Sequence, residues 1–543
     1  MNEHKNGALV WVDLERASLG LRSRSSDLLA GEAVLRRTVR RLERAQALEA
    51  ILVCCPASQT AAVGQLLDGT RAEVAGLGQT VPLSSYVRRR KWSLASWRGG
   101  IHDATVFDEQ VITTEMVQLA AKHGLTTVVQ VPAEAVLIDP ALIEAMLAQH
   151  HEHENMFRFT FSQAPPGLGP CVYRLDMLAE AAAKSAHIGD VLAYDPATPH
   201  ADYIINESNY QLDMDVITAE GRCLADTTRS FGALEQALQG VNGQWLDWTA
   251  AEAVRQLGLH QDTTDVFCRE LEVEITTHPS VRIQGYPHRW EQGRPERAAM
   301  HLALFEKIMR DCSAYDDVCV TIGGFGEPLA HPDLAGMVHA AKAAGIFGIH
   351  VETDGRGLAG KAADALLSGD VDVVSVHLDA DSAALYEQVK GQSGFEQVVE
   401  QAEAFIDAAG PDGPVVLPHL VKTRATMAEM ETFYDRWLSR CEAAVMVGYN
   451  DFSGQIEDKA VMDMQPPRRT VCRRLNRCMT ILADGQVVMC GQDFAAKNVV
   501  GNVKEQSVSE IWQGPTLSAL RQAQREGDFT VNQLCDKCKE WHR

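Results

Sequence analysis

The residues best suited to chemistry in this chain are five of its thirteen cysteines, Cys472, Cys478, Cys490, Cys535 and Cys538. Cys535 and Cys538 are spaced C-x-x-C, which lets two thiolates reach one metal centre across a tight turn. Cys472 and Cys490 are the best-placed residues to complete a set of four. Cys490 ends a run in which Asp484-Gly485 separates two apolar segments, a strong hairpin signal. Four thiolates suit either a [4Fe–4S] cluster or a structural zinc. The choice depends on the elements that position them.

Those elements belong to a 543-residue chain that is 46% hydrophobic and 23% charged, an ordinary globular composition. The length predicts about three or four domains. The formal net charge of -23 argues against a nucleic-acid partner and against docking on an anionic membrane. No apolar run reaches the length of a spanning helix. The first residues lead directly into a strand-like segment at 8–12 with no apolar leader core, so the expected location is cytoplasmic. An odd cysteine count, mostly in apolar strand-like segments, fits a reducing compartment better than a disulfide framework.

A first α/β domain is expected over 1–240, with strands at 8–12, 50–55, 126–131 and 156–161. A helix over about 32–46 places Val34, Leu35, Val39 and Leu42 inward and Arg36, Arg37, Arg40 and Arg41 outward. Strands alternating with helices predict a mostly parallel sheet. Leu28-Leu29-Ala30-Gly31-Glu32-Ala33-Val34-Leu35 and Glu134-Ala135-Val136-Leu137-Ile138-Asp139-Pro140 resemble two motifs of the cytidylyltransferase branch of the nucleotidyltransferases, which have the GT-A fold. That resemblance implies a nucleotide ligand, with Glu134 on a phosphate-bound metal, and cytidylyl transfer as an alternative activity. The chain departs from the family in its phosphate loop, where 13–22 holds one glycine and two acids. Ser26 and Asp27 stand where the family has a lysine. Cys54-Cys55 reads as core, and His150, His151 and His153 read as a solvated helix end.

A linker is expected from about 240 to 265. A second α/β domain follows over 265–455, with strands at 271–275, 318–322, 347–351, 371–377, 414–421 and 443–449. Helical patterns occupy 295–311, 332–344, 361–367, 395–409 and 427–441. Six such repeats build an open partial (β/α)6 barrel with its ligand site at the C-terminal strand ends. The strand ends carry Gly323-Gly324-Phe325-Gly326-Glu327-Pro328-Leu329, Glu352-Thr353-Asp354-Gly355 and Ser375-Val376-His377-Leu378-Asp379-Ala380. Tyr386-Glu387-Gln388-Val389-Lys390-Gly391 follows. In this order these resemble the radical S-adenosylmethionine (SAM) superfamily. The resemblance implies that Gly324, Gly326, Glu327, Pro328, Thr353 and Asp379 contact SAM.

One superfamily feature is replaced. Members carry C-x-x-x-C-x-x-C after the first barrel strand, to hold the cluster that cleaves SAM. Here those positions fall on Pro279, Ile283 and Tyr286, and no cysteine lies between Cys268 and Cys312. The expectation is a chain without a SAM-cleaving cluster at that loop. His278, Tyr286 and His288 remain as polar groups near the mouth.

The region 465–543 resembles the SPASM extension of peptide-modifying radical SAM enzymes, through Cys472-x12-Gly485-x4-Cys490, Gly501-Asn502-Val503, Ser509-Glu510-Ile511-Trp512 and Cys535-x2-Cys538. It implies that Cys472, Cys490, Cys535 and Cys538 ligate one auxiliary [4Fe–4S] cluster, with zinc as the alternative; Cys478 matches no ligand column. The order of the three parts resembles the spiro-SPASM proteins. The expected function is a non-radical binding, recognition or electron-transfer component with a peptide or protein client. The catalytic alternative is a SAM-dependent peptide-modifying enzyme with non-standard ligands.

Overall fold

The computed structural model describes residues 4–78, 85–153, 156–184, 187–192, 208–260, 263–278 and 296–542. The chain divides into two compact units, Met1–His260 and Gln261–Arg543.

Among the described residues of the first unit, seven strands form one sheet: β1 (Asn6–Trp11), β2 (Ala50–Pro56), β3 (Glu73–Leu77), β4 (Thr127–Gln130), β5 (Phe159–Ser162), β6 (Cys171–Arg174) and β7 (Asn209–Tyr210). Their spatial order is β7-β5-β6-β4-β1-β2-β3. β4, β1, β2 and β3 run parallel, while β6 runs antiparallel to β4 and β5. β2 is apolar throughout because both its faces are covered: Ile51, Val53 and Cys55 pack with Leu35 and Val39, and Leu52 and Cys54 pack with Phe107 and Met116.

The helix Val34–Leu42 turns its apolar stripe to the sheet as expected, but it does not send all its arginines to solvent. Arg41 is fully buried and donates to the carbonyls of Ile138 at 2.8 Å, Trp245 at 2.7 Å and Trp248 at 2.6 Å. Arg37 is also buried and donates to Leu29 O at 2.7 Å. These guanidiniums satisfy loop carbonyls that would otherwise be buried without donors. The same contacts correct the expected linker. Residues after 240 form a short turn, Gln244–Asp247, and a helix, Ala250–Gln256, with Trp245 and Trp248 buried in the first unit. His150 is likewise buried, with Nδ1 3.0 Å from Thr160 Oγ1, and so is not part of a solvated helix end.

Among the described residues of the second unit, nine strands form one sheet: β8 (Glu270–Val273), β9 (Cys319–Ile322), β10 (Gly348–Thr353), β11 (Val373–His377), β12 (Val415–Lys422), β13 (Val445–Gly448), β14 (Cys478–Ile481), β15 (Gln486–Val488) and β16 (Val499–Asn502). The order is β13-β12-β11-β10-β9-β8-β14-β15-β16. β8 to β13 are the six parallel strands of the expected partial barrel. The helices between them include Leu302–Cys312, Leu334–Ala343, Gly360–Ser368, Phe395–Ala409 and Met430–Cys441. Strand alternation sorts the faces: Leu271, Val273, Val320, Ile322, Ile349, Val351, Val374 and Val376 join the core under the helices. Glu272, Thr321, His350, Ser375 and His377 have the opposite parity and stand on the concave face.

The expected hairpin is β14–β15, with Thr480 opposite Val488. It does not stand apart from the barrel. β14 pairs in parallel with β8, from Glu270↔Cys478 to Val273↔Ile481, so the cysteine-rich tail continues the barrel sheet. This pairing satisfies a strand edge of β8 that would otherwise be left open.

Candidate functional site

The four cysteines come from three separate elements. Cys472 precedes the short helix Arg473–Arg477, and Cys490 follows β15. Cys535 and Cys538 lie in and just after the helix Gln533–Lys537, whose first turn is capped by Asn532, Oδ1 accepting from Leu534 N at 2.9 Å. All four border one cavity, together with Ser453, Arg469, Arg474 and Gln524. Cys478 is not among its lining residues; it sits on β14 beside Glu270.

The cavity wall is built to address thiolates. Gln524 accepts from Cys472 N at 2.9 Å and donates to Cys535 Sγ at 3.5 Å. Glu540 N donates to Cys538 Sγ at 3.3 Å. Arg469 is anchored by donation to Cys535 O and lies over the Phe529 ring, 4.6 Å from its centroid. Arg469 Nε, Arg474 Nε and Gln492 Oε1 are buried there without a hydrogen-bond partner. Two of these three orphaned atoms are N–H donors on cations, which suits an anionic group in the cavity.

Burial pushes the Cys535 thiol up to about 11, and the neighbouring Cys472 and Cys538 push it in the same direction. Burial likewise raises Cys472, Cys490 and Cys538; Cys490 is raised further by Cys472 and Cys535, and Cys538 by Cys472. The four thiols are thus close enough to repel one another as thiolates. A bound metal group would supply the positive charge that holds them deprotonated together. Among the described residues, no three His, Cys, Asp or Glu side chains are placed to hold a single metal ion. Four thiolates around a cavity, with N–H donors directed at sulfur and two guanidiniums in the wall, fit an iron–sulfur cluster.

The second group of expected residues lies at the C-terminal strand ends of the barrel. Gly324 takes the left-handed conformation, at φ 79°, in the turn after β9. Gly326 has no room for a side chain: a Cβ there would lie 1.8 Å from Thr276 O. Glu327 N donates to His278 O at 3.1 Å, which ties this loop to the continuation of β8. The Glu327 side chain is buried and accepts from Thr353 Oγ1 at 2.7 Å, Asp354 N at 2.9 Å and Leu329 N at 3.2 Å. Gly324, Gly326, Glu327, Pro328 and Thr353 are therefore drawn together by the ends of β9 and β10. Asp379, after β11, is a separate assembly: it accepts from Val421 N at 3.0 Å and pairs with the fully buried Lys390. Both acids hold neighbouring strand ends together. Pro279, Ile283, Tyr286 and His288 lie outside the described residues.

Sequence reasoning missed a histidine cluster on the concave face. His350 donates to or accepts from Ser375 Oγ at 2.7 Å and Thr321 Oγ1 at 3.2 Å. The His377 and His419 rings are 4.8 Å apart, and His377 Nε2 is 3.9 Å from Glu352 Oε1. Burial holds His350 down at about 3 and His419 at about 4, so both are neutral imidazoles at pH 7. Their concave-face parity on three adjacent strands was the available signal. Arg469 and Arg474 in the cysteine cavity were missed too, because only the fold brings them there.

In the first unit, the structure corrects the reading of Glu134. Its carboxyl is 8% exposed and accepts from Ser25 Oγ at 2.8 Å. Burial, together with the nearby Asp226, raises it to about 7. It is buried against Ser25 rather than exposed as a carboxylate at the surface.

Comparison with known proteins gives several matches. Residues 285–436 match the family model of the radical SAM superfamily, and residues 472–539 match that of SPASM, an iron–sulfur cluster-binding domain. An uncharacterized protein of Treponema pallidum (strain Nichols) is 28% identical over 249 residues, covering 43% of this chain and 67% of that protein. The structure of Streptococcus suis SuiB bound to precursor peptide SuiA is similar at 16% identity and a TM-score of 0.41, covering 53% of this chain and 77% of that one. A cytidylyltransferase from Leptospira borgpetersenii is similar at 11% identity and a TM-score of 0.33, covering 47% of this chain and 94% of that one. No described helix is long and apolar enough to cross a membrane. The chain thus carries a radical SAM domain match at residues 285–436 and a SPASM iron–sulfur cluster-binding domain match at residues 472–539.

Proposed function

We propose that the protein holds one [4Fe–4S] cluster on Cys472, Cys490, Cys535 and Cys538, and works as a binding, recognition or electron-transfer component rather than as a SAM-cleaving enzyme. The observation that carries this reading is the single cavity bordered by all four thiols and two guanidiniums, with N–H donors aimed at two of the sulfurs. When bound, such a cluster supplies one-electron transfer. The chain's own residues would fix its position: Gln524 orients Cys472 and Cys535, Glu540 N addresses Cys538, and Arg469 and Arg474 offset the charge of four thiolates.

The non-radical part of the proposal rests on the sequence. Pro279 and Ile283 offer no metal-binding atom where thiolates would be needed, and Tyr286 is a poor substitute. The strand-end loop with Gly324, Gly326 and Glu327 is nonetheless built for close backbone approach to a ligand. SAM or a client peptide is the ligand class assigned to it. The net charge of -23 favours a basic client.

Anaerobic purification followed by iron, sulfide and zinc counts tests the metal. About four irons per chain is expected. Zinc without iron would establish the structural-zinc reading instead, and about eight irons would show that a second cluster is present. Incubation with SAM and reductant is expected to give no 5′-deoxyadenosine. Calorimetry with SAM and with a basic peptide tests the ligand assignment.

A further inference from the structure

The cavity bordered by the four cysteines has an arginine that ties it to the barrel. Arg474 pairs with Glu272, a residue of β8 on the concave face, opposite in parity to the core residues Leu271 and Val273. Glu272 also accepts from Thr480 Oγ1 of β14 at 2.9 Å. The residue after Cys490 is shaped by this pair. A Cβ at Gly491 would lie 2.6 Å from Glu272 Oε2 and 3.0 Å from Arg474 Nη2. The guanidinium therefore packs directly against the backbone next to Cys490, and its buried Nε has no partner.

We propose that Arg474 sets the reduction potential of the cysteine site, and that Glu272 moderates it from the barrel strand β8. The proposal rests on the reading that this cavity holds an iron–sulfur cluster. Adding one electron to such a group makes it more negative. A cation in the wall of the same cavity, with its side chain 30% exposed, stabilises the reduced form. The carboxylate paired with that cation, which also packs against Gly491, opposes it. Arg474 is thus a positioning and tuning residue, and the two partners act with opposite sign.

That sign pattern is the test. The full-length chain is reconstituted anaerobically, its iron is counted, and it is titrated with dithionite in the presence of redox dyes. The paramagnetic signal of the reduced cluster is followed. Arg474→Gln is expected to lower the midpoint potential and Glu272→Gln to raise it. Arg474→Lys, which keeps the charge, is expected to stay closer to the wild type than Arg474→Gln. The double variant should fall between the two single ones. If Arg474→Gln fails to retain its cluster, the upward shift of Glu272→Gln still decides the matter. An unchanged midpoint in Glu272→Gln, or shifts of the two single variants in the same direction, would overturn the proposal. A wild-type chain that takes up zinc and no iron would instead overturn the cluster reading on which it rests.

Discussion

Replacing Asp379 by asparagine separates a ligand-binding aspartate from one that holds the barrel together. The change removes the charge but keeps the shape, and asparagine tolerates the left-handed backbone found there, at φ 60°. The Asp379 and Lys390 side chains are 1% and 0% exposed. The ammonium of Lys390 also donates to His377 O, at 2.8 Å. The Asp379→Asn variant would take the carboxylate of this ion pair away from a buried ammonium. Breaking a buried ion pair from one side costs about 3–5 kcal/mol. The carbonyl that remains points to the lower end, about 3 kcal/mol, or roughly 150-fold in the unfolding equilibrium. With a urea dependence of about 3 kcal/mol per molar, the midpoint of the second unit should fall by about 1 M. The assay is urea unfolding of the full chain without added ligand. Combining Asp379→Asn with Lys390→Met removes both charges and should restore most of the loss. An unchanged midpoint in Asp379→Asn would refute the reasoning, as would a double variant whose loss equals the sum of the two single losses.

Other outcomes follow from the same structure. His350 and His419 have folded pKa values below the ordinary 6.5, so the unfolded chain binds more protons between about pH 6.5 and 4. Stability should therefore fall as pH drops through that window, by about 1.4 kcal/mol per pH unit for each histidine; urea midpoints at pH 7 and 5.5 measure it, and a His419→Gln variant with an unaltered slope would contradict it. Cys490→Ser should abolish iron retention while Cys478→Ser keeps it, and equal iron counts in the two would disprove the ligand assignment. Gly326→Ala places a Cβ 1.8 Å from Thr276 O, so the loop must move by more than an ångström. It should lower the thermal midpoint at a cost on the order of 1–3 kcal/mol and weaken any SAM binding seen by calorimetry; a variant that melts and binds like the wild type would show that the loop is free to shift.

Much of the fold was legible because it is recorded in local pattern. Apolar runs of strand length, separated by helical periodicity, predict a parallel α/β arrangement, and the helix Phe395–Ala409 occupies the expected residues. Loops at the C-terminal strand ends announced themselves through glycines, and Gly326 shows why: no other residue fits beside Thr276. Buried polar residues were read less well. Periodicity places an arginine on a helix face, but it does not reveal that the Arg41 guanidinium reaches the carbonyls of Trp245 and Trp248, more than two hundred residues away. The same long-range bonds turn an expected linker into packed structure.

The sequence by itself singled out four thiols of the C-terminal region as a candidate ligand set, and placed Pro279, Ile283 and Tyr286 where a second set would be expected after the first barrel strand. Both conclusions follow from residue type and spacing, which are local and survive without coordinates. Only the tertiary structure decided that those four thiols share one cavity, that its wall carries Arg469 and Arg474, and that β14 joins the tail to the barrel strand bearing Glu272. It also decided that Glu327 and Asp379 brace strand ends, and that Glu134 is sealed beneath Ser25. The reason is physical: which buried charge meets which partner is fixed by the approach of distant segments, and a one-dimensional pattern records burial without recording the neighbour.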